Sequence, residues 1–183
     1  MNRYLIRGLI DGSLSTLGIV IGASTAIGLS SEAARIIVSA GIGGGVANGI
    51  SNLVGAFAAE KTVAHKNMER VERAMLKRDA IRNSELYEET ERRIISSGVV
   101  DALATIGGSL IPVVPFFVLF VTPLLTSPLL ALGWSAAITF ALFFFLGIYI
   151  GRVSRENLAL SGLKMVLFAG ATAAISALIK IVM

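Results

Sequence analysis

The sequence predicts an all-α polytopic membrane protein: five transmembrane helices and a short cytoplasmic helical segment. Three observations predict it. Hydrophobic residues make up 55% of the 183 and charged residues only 15%, with a mean hydropathy of +0.79, whereas a soluble domain carries roughly 25% charged residues. Five apolar stretches each reach the ~20 residues that a helix rising about 1.5 Å per residue needs to cross ~30 Å of hydrocarbon. The basic residues, finally, fall almost entirely on one side of the alternation those stretches impose.

The first stretch, "RYLIRGLIDGSLSTLGIVIGASTAIGL" from Arg3 to Leu29, carries Asp11 inside it. It is too long for a signal-peptide core and has no convincing cleavage site, so it reads as a mature helix. The second, Ala33 to Ala59, is expected to run on as one long helix into the polar segment that follows. That segment, Glu60 to Arg93, has no Gly or Pro and is rich in Glu, Lys, Arg, Ala and Leu, a helical composition with Asn83-Ser84 as the break before a second short helix. The third stretch, Ser97 to Leu125, holds "GGSLIPVVP". Its Pro112 and Pro115 each remove a backbone donor that must be made good by neighbouring helices, which predicts a kink packed against protein. The fourth and fifth run from Pro128 to Gly151 and from Leu158 to Val182. Pairs of G-x-x-x-G form, Gly18–Gly22, Gly45–Gly49 and Gly147–Gly151, permit close helix approach. The organisation expected is residues 1–59 as two spans, 60–96 as a cytoplasmic segment and 97–183 as three spans.

With the N-terminus inside, fourteen of the sixteen Lys and Arg face the cytoplasm, and only Arg35 and Lys180 lie outside. This places the N-terminus and residues 60–96 in the cytoplasm and the C-terminus on the opposite side. The pI near 9.8 then reflects topology, and no nucleic-acid partner is expected. There is no Cys, which excludes disulfides and thiolate metal sites; ligands must come from oxygen, the five Met or His65.

Carboxylates inside a membrane are costly and usually face a bundle interior on an ion path. Asp11, about 10 Å in from Tyr4, and Asp101 lie within spans, and Glu60 stands where the second span leaves the bilayer. All three are expected toward the cytoplasmic side, forming a negatively charged vestibule. The bland alternatives are ion pairs: Asp11 with Arg7 one turn away, and Asp101 with Arg92 or Arg93. Asn48 and Asn52, at i and i+4, share one face of the second span, either offering carbonyl oxygens to a cation or hydrogen-bonding between helices. On the polar segment His65, Glu69 and Glu72 fall on one helix face with Met68 beside them, a donor set suited to Fe²⁺, Mn²⁺ or Zn²⁺. The alternative there is a solvated face with ion pairs such as Glu69–Arg73.

Five spans, "DGSLSTLGIVIGAS" in the first, "GGSLIPVVPF" in the third and a Glu-rich segment after the second together resemble the vacuolar iron transporter family of divalent-metal/proton antiporters. The resemblance covers nearly the whole chain. It implies that Asp11 lies on the ion path, that two copies form a homodimer with the path between their first and second spans, and that the cytoplasmic helices gather metal. The carried-over metal residues are Asp11, Glu69 and Glu72, with Glu85, Glu88 and Glu91 less closely matched. Asn52 stands where members often carry Met, and Gly44 where many carry Glu. That exchange makes the donor set harder and Mn²⁺ more competitive with Fe²⁺.

The function expected is therefore transport of Fe²⁺ or Mn²⁺ in exchange for protons, with the dication and protons as partners along with the lipid bilayer and a second copy, and no resident cofactor. Asp11 can hold either a dication or a proton, and that exclusivity is enough to couple opposite fluxes. Geometry points to the same dimer, since five helices are too few to line Asp11, Asn48 and Asn52 on every side. The competing reading is a non-transporting scaffold or metal sensor acting through its cytoplasmic helices. No enzyme is expected: Ser13, Ser15 and Ser51 have no candidate base, and there is no His cluster. The plasma membrane of a prokaryote-like cell is the expected location.

Overall fold

The computed structural model describes residues 3–28, 30–75, 85–121 and 127–182. Five helices follow in order: α1 (Arg3–Ile27), α2 (Ser31–Ala74), α3 (Glu85–Val121), α4 (Pro128–Ser154) and α5 (Leu158–Val182). All five are long and apolar enough to cross a membrane, as the sequence predicts.

Local chemistry sets the ends. α1 gives way at Gly28, whose φ of 87° suits glycine and strains other residues. Ser30 caps α2, its hydroxyl oxygen accepting the Ala33 N–H at 3.1 Å. Ser127 caps α4 ahead of Pro128 in the first turn, where a missing N–H costs nothing. Asn157 opens α5 by accepting from the N–H groups of Ala159 and Leu160 at 3.1 and 3.4 Å.

α2 has 44 residues and α3 has 37, so they span ~66 and ~55 Å, well beyond ~30 Å of hydrocarbon. Each therefore projects beyond a single span, and the described residues of the polar segment belong to these two extensions. Neither helix breaks at residue 60 or 96. The break expected at Asn83-Ser84 lies outside the described residues, and the chain is already helical at Glu85.

α3 is the centre of the bundle. Its contacts with α2 and α1 are the most extensive in the fold, and it also touches α4; α4 pairs with α5, and α1 meets α5. The surface is apolar and the interior carries hydroxyls: Phe145, Leu167 and Trp134 are 67%, 64% and 60% exposed, while Ser13, Thr16, Thr105, Ser135 and Thr139 are fully buried. In water such a surface would aggregate; in lipid it is the stable arrangement, and Ser13, Thr105 and Thr139 donate to carbonyls one turn back on their own helices. Ser135 of α4 donates to the Pro112 carbonyl at 2.7 Å, a bond between helices next to the prolines of α3; the carbonyls that those prolines leave without a helical donor are those of Gly108 and Ile111, four residues earlier. At the end of the bundle away from Arg3, Val20, Ile37, Phe116 and Leu119 close a wholly apolar core.

The tightest seam joins α1 to α3. A Cβ on Gly12 would overlap the Thr105 carbonyl and come within 2.9 Å of the Ser109 nitrogen, and one on Gly108 would come within 2.7 Å of the Leu9 carbonyl oxygen. Backbone meets backbone there, so no side chain can yield. Gly12→Val is expected to lower stability by at least about 1–3 kcal/mol through overpacking, measured by thermal melting in detergent. Gly133→Ala, whose Cβ would meet nothing within 4 Å, is expected to be neutral or slightly stabilising. Equal melting of Gly12→Val and the wild type would remove the seam from this account.

Candidate functional site

α1 and α2 run antiparallel, and their polar residues meet in rungs. The Asn52 amide of α2 donates to Asp11 Oδ2 of α1 at 2.6 Å. One turn further along, the Asn48 amide donates to the Ser15 hydroxyl at 3.2 Å. Nearer the basic end, Glu60 accepts from the Tyr4 hydroxyl and, at 2.5 Å, from Arg3. Polar residues at i and i+4 on each helix make this ladder, because that spacing keeps them on one face. α3 joins at its middle: Asn52 also donates to the Thr105 hydroxyl at 2.9 Å, and Thr105 donates to the Asp101 carbonyl oxygen at 2.8 Å. With its two amide hydrogens so used, the oxygen of Asn52 is what remains for a cation.

Asp101 is provided for differently. It is fully buried, neither carboxylate oxygen receives a hydrogen bond, and Arg7 stands 3.5 Å from Oδ2. This corrects both ion-pair alternatives from the sequence. Arg7 faces Asp101 across the seam instead of pairing with Asp11, because the Gly8 backbone lies against the Asp101 carbonyl. Arg92 and Arg93 lie eight or nine residues before Asp101, about 12–14 Å away along the same helix.

An open cavity of about 460 Å³ borders Asp11 and is lined by Arg3, Ile6, Arg7, Ile10 and Asp11 itself. A second, of about 410 Å³, lies between the extensions of α2 and α3, with Glu60, Asn67, Met68, Thr90 and Arg93 among its lining. The collecting residues divide here. Met68 faces this second cavity, whereas His65 and Glu69 are exposed. His65 Nδ1 lies 3.0 Å from the Lys61 carbonyl, and Glu69 pairs with Arg73 at 2.9 Å. Glu72 is half-buried and Glu88 exposed; Tyr87 donates to Glu91 at 3.2 Å. The Glu85 side chain lies outside the described residues. Among the described residues of one copy, no group of three or more His, Asp or Glu is gathered to hold a metal ion.

The profile of the VIT family matches residues 62–180. The chain belongs to the VIT family. It is also similar to an uncharacterized protein of Methanocaldococcus jannaschii, 45% identical over 172 residues that cover 93% of this chain and 83% of the relative. The match agrees with the family that the sequence resembles and includes "GGSLIPVVPF", while "DGSLSTLGIVIGAS" lies ahead of the matched residues; it places this VIT-family chain among membrane proteins of metal-ion transport, a family of transporters and not of enzymes.

Two features of this VIT-family site escape a reading of the sequence. Thr105 is the third member of the Asp11–Asn52 cluster, and its only signal is that it follows Asp101 by four residues on one helix. The pairing of Arg7 with Asp101 depends on a seam that the Gly8 and Gly12 spacing permits but does not announce. Of the ladder only Asp11 lines the open cavity; beside it one chain offers two amides and hydroxyls, oxygen donors suited to a hard dication and too few to strip its water. Asn52→Leu is expected to lower stability by about 0.6–2 kcal/mol, the range for interhelical hydrogen bonds in membranes. Asn48→Leu should cost less, since its bond is longer and exposed. Thermal melts of the two variants check the order, and a larger loss for Asn48→Leu would reverse the assignment of Asn52 as the joint of the three helices.

Proposed function

We propose that this protein moves Fe²⁺ or Mn²⁺ across the membrane in exchange for protons, along a path between two copies of the chain. The observation that carries the proposal is the ladder of Asp11, Asn52, Ser15 and Asn48. Asp11 is only half-buried and opens onto a cavity at the edge of the bundle, so a polar face within the span lacks a second wall. Lipid is a poor wall for a carboxylate. A second copy related by a two-fold axis normal to the membrane supplies one, facing its own Asp11 and amides across a shared path. Two carboxylates and up to four amide oxygens then surround a partly hydrated dication.

The orientation we infer from the basic residues puts Asp11, Glu60 and Asp101 toward the cytoplasm of a prokaryote-like cell, with the C-terminus opposite. Glu69 and Glu72 of two copies offer four carboxylates, with His65 and Met68 near them, as a collecting site feeding the path. Because Glu69 is held by Arg73, metal has to displace the arginine, and such a site is weak in one copy. The alternative, a sensor or scaffold that binds metal without moving it, draws on the same observation, and liposome uptake separates the two.

Asp11→Asn in proteoliposomes is expected to abolish Mn²⁺-dependent proton movement while the protein stays folded and dimeric. Unchanged flux removes Asp11 from the mechanism. In the double variant Glu69→Gln, Glu72→Gln, calorimetric Mn²⁺ binding should fall at least about tenfold, with slower transport persisting. Unaltered binding returns that face to solvated ion pairs.

A further inference from the structure

Arg7 stands by both acids of the inner bundle in different ways. It is 3.5 Å from Asp101 Oδ2 across the α1–α3 seam, and it lines the Asp11 cavity, one turn before Asp11 on the same helix. Its side chain is 53% exposed, which leaves the guanidinium room to swing. The separation from Asp101 is longer than the 2.7–2.9 Å or so of a charge-assisted hydrogen bond, so the pair is near but not closed.

Asp101 has no other recourse in the described structure. It is fully buried, and both carboxylate oxygens lack a donor. Such a group meets the cost of burial in one of two ways: a counter-ion closes on it, or it takes a proton. The charged groups that act on it are Arg7 and Asp11, both from α1. α2 presents only the neutral Asn52, by way of Thr105, and α4 and α5 add no charge there among the described residues. Asp11, by contrast, has its own donor in Asn52 and an open cavity in which to meet a cation.

We infer that Arg7 is a counter-ion shared between the two acids, and that Asp101 carries a proton exchanged for the cation arriving at Asp11. The inference rests on the transport reading above and divides its labour between the acids. While the Asp11 cavity holds no dication, Arg7 stands where it is seen, near Asp101 but not closed on it and bordering the Asp11 cavity, and the Asp101 carboxyl keeps its proton. A dication at Asp11 repels the guanidinium, which closes on Asp101. The Asp101 O–H bond then breaks, its electron pair stays on the carboxylate, and the proton leaves to water in the cavity that Arg7 lines. Arg7 remains charged throughout, as guanidinium does in proteins. Departure of the dication reverses each movement, so Asp101 is balanced by its proton in one state and by Arg7 in the other.

The test reconstitutes wild type, Asp101→Asn, Arg7→Gln and Arg7→Lys in liposomes at clamped membrane potential, with a trapped Mn²⁺-quenched dye and a trapped pH dye read together. Protons moved per Mn²⁺ should fall about twofold or more in Asp101→Asn and Arg7→Gln while Mn²⁺ still enters, and Arg7→Lys should restore the wild-type ratio. A wild-type ratio in Asp101→Asn overturns the inference, as does a proportional loss of both fluxes, which is what a merely structural role gives. Should Asp101→Asn fail to purify as a folded species, the Arg7 pair decides, and equal ratios in Gln and Lys overturn it. A wild type that moves no Mn²⁺ overturns the transport reading itself, and this inference with it; coupled wild-type transport indifferent to these variants overturns this inference alone.

Discussion

The backbone contact between α1 and α3 sets the arrangement of the other groups. At Gly8, Gly12 and Gly108 the two helices approach until a single added carbon would meet main chain. Lipid tails are as apolar as any side chain, so membrane helices gain little from burying hydrocarbon and associate through close packing and hydrogen bonds. The seam maximises the first and positions the second. It brings Arg7 to Asp101, and it places Thr105 within reach of Asn52, which holds Asp11 from the other side. α2 can join the cluster because it follows the same groove, with Gly45 against Ser109 and Gly49 against Ile106.

Polar groups within a membrane have to find partners in the protein, and this bundle sorts them along its axis. Toward the basic end lie Glu60 with Arg3 and Tyr4, then Asp101 with Arg7, then Asp11 with Asn52. Further along come neutral rungs such as Asn48 with Ser15, and beyond them the apolar cluster around Val20 and Phe116. Charge thus fades into hydroxyl and hydroxyl into hydrocarbon. In the transport we propose, a cation entering from the basic end meets carboxylates first and then a stretch where only neutral oxygens remain, an order that suits a binding site reached from one side.

The extensions of α2 and α3 follow from the same economy of parts. The described residues of the polar segment continue two membrane helices past the length of a span, so their geometry is coupled to those helices. Any tilt of α2 that alters the Asp11–Asn52 rung also moves Met68, Glu69 and Glu72, about 24 Å or more beyond Asn52 along one helix. On the extension the exposed residues pair locally, Glu69 with Arg73 and Tyr87 with Glu91, while Met68 turns to the cavity shared with α3.

The fold class, the five spans and the long second helix were legible in the sequence because they depend on local properties: hydropathy over ~20 residues, helix composition and the absence of Gly and Pro between residues 60 and 93. Asp11 and Asp101 stood out for the same reason, as charges in an apolar run, and Asn48 with Asn52 as a shared face. What sequence could not decide was partnership. Arg7 is equally able, by spacing alone, to serve Asp11 on its own helix or an acid on another, and Asp101 to take an arginine of its own helix. Packing chose, since only the approach of α1 and α3 through glycine fixes which groups are neighbours across helices. Thr105 joined the site by the same route. Periodicity within a helix tells which residues share a face; what that face meets is a property of the tertiary structure, set by backbone contacts between segments nearly a hundred residues apart.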